Sequence, residues 1–515
     1  MKNSKSMAKA LMNNPKSDVD DKKAFVKELE KENFNEAKLN FEEGVKLFNN
    51  KNYEFAEKKF LNSLKLTPGR LSIISNLIKI YIETKQVQKL SNILKEYKNF
   101  ENEKEILLGL AYNLYFNENF KESIKICNQI VNHKEIKYAV QDLLASNYKK
   151  NNDFLNALKV YRKQLLEKKN DYKIYYNIGS LFFVLGKINQ AYYYFEKSKK
   201  IKPNHADISW RLSLCALALK DLKNGFLLYE DRWKRENHPQ KKFDNIKLPN
   251  NILEIKDKKV LIWDEQGLGD ALQFSRFVID LKKYTNQITF VVNKKLKDIL
   301  SNLSSDIFVV DYENLKEVNF DFQIPICSLP KLLNISKIED INFYKLSLPE
   351  TKYQNKDFKK NKLNVGLAWS GNPNYLMDKY RSISFNKFDK LLKLKNVDFY
   401  KLSKNVREDE FIDYHSYSNL SDFGDKSLFE ISRILKELDL VVSADTSIIH
   451  LAGILEINSI LLLNFNADWR WFGSKKNTNW YPSIRIIKQN QFNSWDNVFE
   501  DLIIEVKKIY NNKFK

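Results

Sequence analysis

The apolar positions of residues 37–237 recur with a helical period inside a longer repeat of 34 residues. Gly44 is followed by Ala56, Phe60 and Pro68, and Gly179 by Ala191, Phe195 and Pro203 at the same offsets. An apolar residue opens the second helix of each unit: Tyr53 and Val87 lie 34 apart, as do Phe120, Phe154, Ile188 and Leu222 in succession. The accompanying column reads Ala56, Leu90, Ser123, Ala157, Ala191, Gly225, small except in the degenerate unit 71–103, where Leu90 and Ile78 replace small residues. Two antiparallel helices approach closely only where a small side chain faces its partner. Gly44 is therefore expected to meet Ala56, and Gly179 to meet Ala191, with the ring four residues later filling the groove to the next unit. Asn-rich turns (Asn49–Asn52, Asn151–Asp153) separate the helices, and Pro68 and Pro203 end them. The pattern predicts about six helix pairs over residues 34–237. The last closes on Tyr229-Glu-Asp-Arg-Trp233, whose aromatic residues are expected to dock the repeats onto the C-terminal half of the chain.

Residues 238–257, with Pro239 and Pro249, lack strong periodicity and read as a linker. After Lys258 the period changes. Lys259–Trp263 reads as a short buried strand, Asp264–Asp270 as a loop with two glycines, and Ala271–Lys283 as a helix. Strands at Ile288–Val292, Ile307–Val310 and Phe322–Ile326 complete a first α/β domain, 258–350. A lysine-rich bridge, 351–362, leads to a second strand start, Leu363–Trp369, then the loop Ser370–Asn374 and strands around Val397–Lys401 and Leu438–Ser443, in a domain spanning 363–515. Two strand-led domains predict facing doubly wound units, with ligands at the carboxyl ends of the strands. Of only 13 glycines, Gly267, Gly269, Gly366 and Gly371 sit in or beside the two strand-ending loops. There the backbone must turn sharply or approach a ligand, although Gly-x-Gly also makes ordinary turns.

Composition narrows the class. Hydrophobic content of 43% with 13% aromatic fits well-filled cores. Cys127, Cys215 and Cys327 stand far apart, with no metal-ligand spacing, so neither a disulfide framework nor a structural metal is expected. Residues 1–33 are charged and Asn-rich and read as a flexible tail without a signal peptide, and no apolar run is long enough to span a bilayer. These features predict a cytoplasmic protein. The net charge of +21 comes from lysines spread everywhere. It predicts no specific nucleic-acid binding; weak, salt-screened attraction to the inner membrane face needs no special geometry.

The repeat offsets resemble the tetratricopeptide family. The second half carries a further set of motifs: Trp263-Asp-Glu-Gln-Gly-Leu-Gly-Asp270 with Gln273-Phe274; Ser328-Leu-Pro330; Val365-Gly-Leu-Ala-Trp-Ser-Gly-Asn-Pro373 with Asp378 and Arg381-Ser382; Asp422-Phe423 with Asp425; Asp439-Leu-Val-Val-Ser-Ala-Asp445-Thr446 with His450-Leu-Ala-Gly453; Asp468-Trp-Arg-Trp471; and Trp480-Tyr-Pro482. In order and spacing, over residues 225–500, they resemble heptosyltransferase-like family-nine glycosyltransferases fused to tetratricopeptide repeats. The resemblance implies a helical solenoid followed by a GT-B type pair of α/β doubly wound domains, acceptor side first and donor side second. It also implies an inverting enzyme that uses a nucleotide-diphosphate sugar as substrate, without a cofactor. After Gly453 the sequence Ile454-Leu-Glu-Ile-Asn458 departs from that family's turn, which leaves the choice of nucleotide open.

The resemblance makes Asp270 the general base, with an N-cap as the alternative role for an aspartate there. Arg381 is the candidate for the leaving diphosphate, or else the partner of Asp378. Ser370, Gly371 and Asn372 offer donors to phosphate, with Gly267 and Gly269 in the first loop. Asp445 and Thr446 end an apolar strand and face the donor; His450 either belongs to that site or packs structurally. Asp468-Trp-Arg-Trp471 either stacks on base or sugar or closes over the core. No Asp-x-Asp follows residue 20, so a metal clamp is not expected. The expected partners are a nucleotide sugar, an acceptor that is a glycan, lipid-linked or a protein, and a protein partner on the repeats. The competing readings are a non-catalytic tetratricopeptide scaffold with a degenerate transferase-like domain, and a sugar-nucleotide epimerase or hydrolase of similar architecture.

Overall fold

The computed structural model describes residues 19–236, 242–316, 319–349, 358–375, 378–404, 416–472 and 476–514. The chain divides into two compact units, Met1–Asn170 and Asp171–Lys515. The division falls inside the repeat region, with the last two helix pairs in the second unit. Among the described residues no helix is long and apolar enough to cross a membrane.

The first unit holds four helix pairs: α1 (Val19–Asn49) and α2 (Tyr53–Leu66), α3 (Leu71–Glu83) and α4 (Val87–Glu96), α5 (Lys104–Phe116) and α6 (Phe120–Ile130), α7 (Lys137–Lys150) and α8 (Phe154–Glu167). The second unit opens with α9 (Tyr172–Val184) and α10 (Ile188–Ile201), then α11 (Ala206–Ala218) and α12 (Leu222–Tyr229). Residues 19–33, expected to be part of a flexible tail, are helical, because Lys, Glu, Ala and Leu make this stretch a good helix former continuous with the first repeat. Residues 1–18 lie outside the described residues.

One turn geometry generates the repeat. Each pair turns through a residue with left-handed backbone: Lys51, Lys85, Glu118, Asn152, Gly186 and Lys220, with φ between 55° and 68°. The next amide returns to the helix it has left, as Asn52 N to Leu47 O, Gln86 N to Tyr81 O, Asn119 N to Leu114 O, Asp153 N to Tyr148 O, Lys187 N to Phe182 O and Asp221 N to Ala216 O, each at 2.8–2.9 Å. This closure satisfies an otherwise orphaned carbonyl. The five non-glycine residues accept a conformation costing about 1 kcal/mol each.

The packing differs from the expected glycine-to-alanine contact. A Cβ on Gly44 would lie 2.8 Å from the Phe60 ring, and one on Gly179 would lie 2.9 Å from the Phe195 ring. The side chain for which each glycine makes room is the phenylalanine, whose ring lies across the glycine backbone. Ala56 and Ala191 are fully buried.

The rest of the second unit is parallel-sheet α/β. The first sheet has β1 (Val260–Trp263), β2 (Ile288–Val292), β3 (Ile307–Asp311) and β4 (Phe322–Pro325) in the order β3-β2-β1-β4, all parallel. Helix α13 (Leu268–Asp280) follows β1, and α14 (Lys294–Leu300) follows β2. The second sheet has β5 (Leu363–Ala368), β6 (Val397–Lys401), β7 (Leu420–Asp422), β8 (Leu440–Ala444), β9 (Ser459–Leu463) and β10 (Ile484–Lys488), with α15 (Leu428–Leu435), α16 (Ser447–Ile454) and the closing α17 (Asp496–Phe514). Its order is β10-β9-β8-β5-β6-β7, again all parallel. In both sheets the strand order reverses beside the first strand, the crevice where doubly wound folds bind ligands.

Strands β7, β9 and β10 have no counterpart in the sequence reading. β7 is three residues long with little burial. β9 is buried throughout, and its Ile-Leu-Leu-Leu run follows α16 so closely that periodicity does not separate strand from helix. The stretch read as a linker packs on the first sheet where it is described: Lys247 O accepts from Gln323 N at 3.0 Å, and Phe243 lies against Trp263 and Tyr312. Residues 237–241 and 350–357, which include residues 351–357 of the expected bridge 351–362, lie outside the described residues.

Gly179→Ala is expected to lower the thermal midpoint of the full chain, at a cost of about 1–3 kcal/mol for forcing a methyl into the Phe195 ring. Chemical denaturation followed by circular dichroism measures it; an unchanged transition would mean that the ring gives way freely.

Candidate functional site

The loop between β1 and α13 is pinned at almost every residue. Asp264 accepts from Tyr312 Oη at 2.5 Å and from Asn293 N at 2.6 Å. Glu265 receives Arg232 in a two-pronged pair, at 2.9 Å from Nε and 2.6 Å from Nη2, and also accepts from Cys327 N at 3.0 Å. Gln266, in left-handed backbone, bonds through its side chain to the Tyr229 hydroxyl. Gly267 precedes the helix, and its N–H donates to Asp270 Oδ2 at 2.9 Å. Arg232 is fully buried; its remaining donors reach Glu230 Oε1 at 2.7 Å, Ser328 Oγ at 2.8 Å and Tyr229 O at 3.2 Å. The Tyr-Glu-Asp-Arg-Trp segment therefore docks the last repeat as expected. The strongest contact is the arginine's; the rings of Phe226 and Tyr229 pack edge-on to Trp469, and that of Trp233 lies tilted against Trp263.

The first turn of α13 meets the first turn of α16. A Cβ on Gly269 would lie 2.9 Å from His450 Cδ2 and 3.6 Å from Ser447 Cα, so only glycine permits this approach. Thr446 caps α16, its Oγ1 accepting from Ile448 N at 3.3 Å and lying 3.2 Å from Ser443 Oγ. His450 is buried, with Nδ1 3.0 Å from Tyr481 Oη and its ring stacked on Trp471 at 5.4 Å. Burial, reinforced by Arg470, Arg276 and Arg381, pulls its pKa down to about 3, so the ring is neutral. Its Nε2 lies 3.8 Å from Asp445 Oδ1. Burial and the neighbouring Asp468 carboxylate push Asp445 up to about 6, against Arg381, the Trp471 indole and Arg470.

Arg381 makes the pair with Asp378 that the sequence offered as the alternative to a diphosphate role. Its Nε donates to Asp378 Oδ1 at 3.0 Å, and its Nη1 reaches across to Asp445 O at 2.8 Å. Gly371 makes room for this, since a Cβ there would lie 2.5 Å from Arg381 Nη2. Gly371 N donates to Ser382 Oγ at 3.1 Å, and Ser382 Oγ to Asp378 Oδ2 at 2.8 Å. Ser370 is buried at the end of β5. Asn372 stands apart from this network: it is exposed, and its Oδ1 accepts from Asn374 N at 3.0 Å.

Arg470 is the residue that sequence reasoning missed. It ion-pairs through Nη2 with Asp270 and through Nη1 with Asp468 at 2.9 Å, while its buried Nε has no hydrogen-bond partner. Its partner Asp270 is 200 positions away, so no local spacing announces it. The flanking tryptophans, 3% and 0% exposed, line the core and stack on protein rings, which selects the core-packing reading of that segment. Arg276 bolts the same junction: Nη1 donates to Trp480 O at 2.9 Å and Nε to Gln273 O at 2.9 Å. Gly267, Gly269, Asp270, Ser370, Gly371, Arg381, Asp445, Thr446 and His450 thus lie in loops and first turns that follow the first strands of the two sheets and β8. Asp270 keeps 21% of its side-chain surface exposed, enough for a small group to reach it.

No protein-family model matches the chain, and no curated protein matches it. Among solved structures it is similar to the iron-containing dodecameric glycosyltransferase TibC of enterotoxigenic E. coli, at 15% identity and TM-score 0.34, covering 52% of this chain and 77% of that one. It is also similar to PilF of Pseudomonas aeruginosa (12% identity, TM-score 0.33, 38% of this chain and 90% of that one). A thermophilic TPR protein of Thermus thermophilus matches at 13% identity and TM-score 0.31, covering 35% of this chain and 99% of that one.

Two outcomes are expected. Arg232→Met leaves two carboxylates facing a buried, uncharged side chain and is expected to cost about 3–5 kcal/mol in denaturant titration, partly recovered when Glu265→Gln is added. The pH dependence separates two groups. Asp445 binds its proton more tightly folded (about 6) than at its ordinary 3.8, so it lowers stability as pH rises through that window. His450 does the reverse between its ordinary 6.5 and about 3, favouring the folded state as pH rises. Asp445→Asn should therefore steepen the rise of thermal midpoint from pH 4 to 6, and His450→Gln should flatten it. Identical profiles in all three proteins would contradict this assignment.

Proposed function

We propose that residues 258–515 form a GT-B type glycosyltransferase that moves a sugar from a nucleotide-diphosphate donor to an acceptor hydroxyl, with inversion and without a metal. The observation that supports this reading best is the convergence, at the carboxyl ends of two parallel sheets, of a carboxylate from the first domain and an arginine-and-helix-terminus cradle from the second. The acceptor oxygen attacks the anomeric carbon, the bond from that carbon to the diphosphate oxygen breaks, and the nucleoside diphosphate departs. Asp270 takes the acceptor proton. Arg381 and the loop Ser370–Asn372, whose Gly371 amide would have to leave Ser382 Oγ, bind the diphosphate, together with the first turn of α16 behind Thr446. Asp445 accepts from a sugar hydroxyl, and neutral His450 shapes the donor side. Gly267 and Gly269 let the backbone of the first loop close on the substrate. Arg470 positions Asp270.

The repeats hold the acceptor (glycan, lipid-linked or protein) or a partner protein, in the cytoplasm or at the inner membrane face. One observation favours the non-catalytic alternative. Both Asp270 oxygens are already engaged, one by Gly267 N and one by Arg470. Catalysis then requires the acceptor to share an oxygen with one of them.

A thermal-shift screen against nucleotide sugars and nucleoside diphosphates tests the reading, since a ligand that binds only the folded state raises the midpoint. A shift with one nucleotide family, lost in Arg381→Ala, is expected. Asp270→Asn should retain that shift while transfer falls by at least about a hundredfold. No shift with any donor would favour the scaffold, and full activity in Asp270→Asn would remove it as the base.

A further inference from the structure

Gly453 and Tyr481 have no part in the transfer step, yet together they set the surroundings of His450. His450 and Gly453 stand three apart on α16 and so share a face of the helix. A Cβ on Gly453 would lie 2.5 Å from Tyr481 Cγ, so the glycine admits the tyrosine ring against the helix. The hydroxyl of that ring lies 3.0 Å from His450 Nδ1, and both side chains are buried. Stacking on Trp471 at 5.4 Å and the close approach of Gly269 hold the imidazole on its other sides. The opposite orientation of the imidazole would set a carbon against the hydroxyl.

The order of donors follows from the chemistry of the groups. Arg276 lies 5.0 Å from the Tyr481 ring and hydrogen-bonds its side chain. A guanidinium only donates, so the Tyr481 oxygen accepts and its own hydrogen is left for His450 Nδ1. Burial holds that hydrogen on the phenol. The imidazole is neutral and carries one proton, so a hydroxyl donating to Nδ1 puts that proton on Nε2. Nε2 lies 3.8 Å from Asp445 Oδ1. An N–H there attracts the carboxylate, whereas a bare nitrogen lone pair repels it. Both ends of the ring therefore select the same tautomer. Burial pushes Asp445 up to about 6, and an N–H beside it favours the charged form, which is the form that only accepts.

We propose that Tyr481 is a positioning residue that holds His450 as the Nε2–H tautomer, and that this N–H keeps Asp445 a hydrogen-bond acceptor for the donor sugar. The tautomer stands on the geometry alone, and the role toward the sugar rests on the transferase reading.

Long-range proton–nitrogen correlation NMR near neutral pH tests the tautomer, on full-length protein with isotope-labelled, protonated histidine in a deuterated background. The His450 signals are identified by their loss in His450→Gln. The upfield ring nitrogen is expected to couple to both ring C–H protons, as Nε2–H requires. Tyr481→Phe is expected to move the downfield Nδ1 further downfield, as loss of a donated hydrogen bond requires. Titration calorimetry with UDP, GDP and ADP, and with UDP-glucose, GDP-mannose and ADP-glucose, tests the role. In Tyr481→Phe the affinity for the nucleotide sugar is expected to fall at least about tenfold while that for its nucleoside diphosphate is unchanged. An upfield nitrogen coupled strongly to Hε1 alone overturns the proposal, as does an Nδ1 unmoved in Tyr481→Phe. Equal loss of both kinds of ligand also overturns it, because a merely structural tyrosine would give that result. Nucleotide-sugar affinity unchanged in Tyr481→Phe overturns the role toward the sugar and leaves the transferase reading intact. A wild-type protein that binds none of these nucleotides removes the transferase reading and that role together. The wild-type spectra decide the tautomer even where Tyr481→Phe does not fold.

Discussion

The α/β half is organised around one close approach, the first turn of α13 against the first turn of α16 at Gly269 and His450. Two helix N-termini face each other there, and both carry partial positive charge. Such ends repel unless anions stand between or beside them. Asp270 sits in the first turn of α13, Asp445 lies just before α16, and Asp468 is close enough to raise the Asp445 pKa. The three carboxylates offset the dipoles and in turn require cations, which Arg470 and Arg381 supply. Burial of this cluster is what keeps His450 neutral.

The second constraint comes from the repeats. The conformation of the loop that leads into α13 is held by side chains of the last repeat, through Arg232 to Glu265 and Tyr229 to Gln266. A guanidinium with no exposure is tolerable only because Glu265 and Glu230 compensate its charge and Ser328 and a carbonyl take further donors. Trp469 meets Phe226 and Tyr229 of α12, Phe274 of α13 and Trp480 ahead of β10, so three parts of the fold share one ring. The last repeat is therefore part of the wall behind the candidate site, and the boundary between compact units lies earlier, after Asn170.

Where the sequence was legible, a local rule carried the information. β2 falls where a run of apolar residues predicts it, and the six helix pairs follow from offsets that keep one face apolar. Gly371 could be singled out because glycine is sparse and stands just past a buried strand there, whereas Asp270 and Asp445 were singled out by the resemblance of their motifs to a known family. Arg470 could not, because its significance lies in a distant partner rather than in spacing. The role of Gly44 was read as room for an alanine when it is room for the Phe60 ring, because offsets along a helix do not say which of two nearby side chains turns inward.

The sequence by itself determined the helical array, its period, the change to parallel α/β at about residue 258 and the two glycine-bearing loops that follow β1 and β5. Each of these depends on periodicity, glycine placement or strand-length apolar runs, which are properties of neighbouring residues. Only the tertiary structure decided that Asp270 is clamped by Arg470, that His450 is neutral and that Asp445 holds its proton more tightly than usual. It alone decided that an arginine of the last repeat anchors the glycine loop. Charge state and ion pairing depend on burial and on groups tens to hundreds of residues apart, and the chain brings those together only when the first turns of α13 and α16 meet.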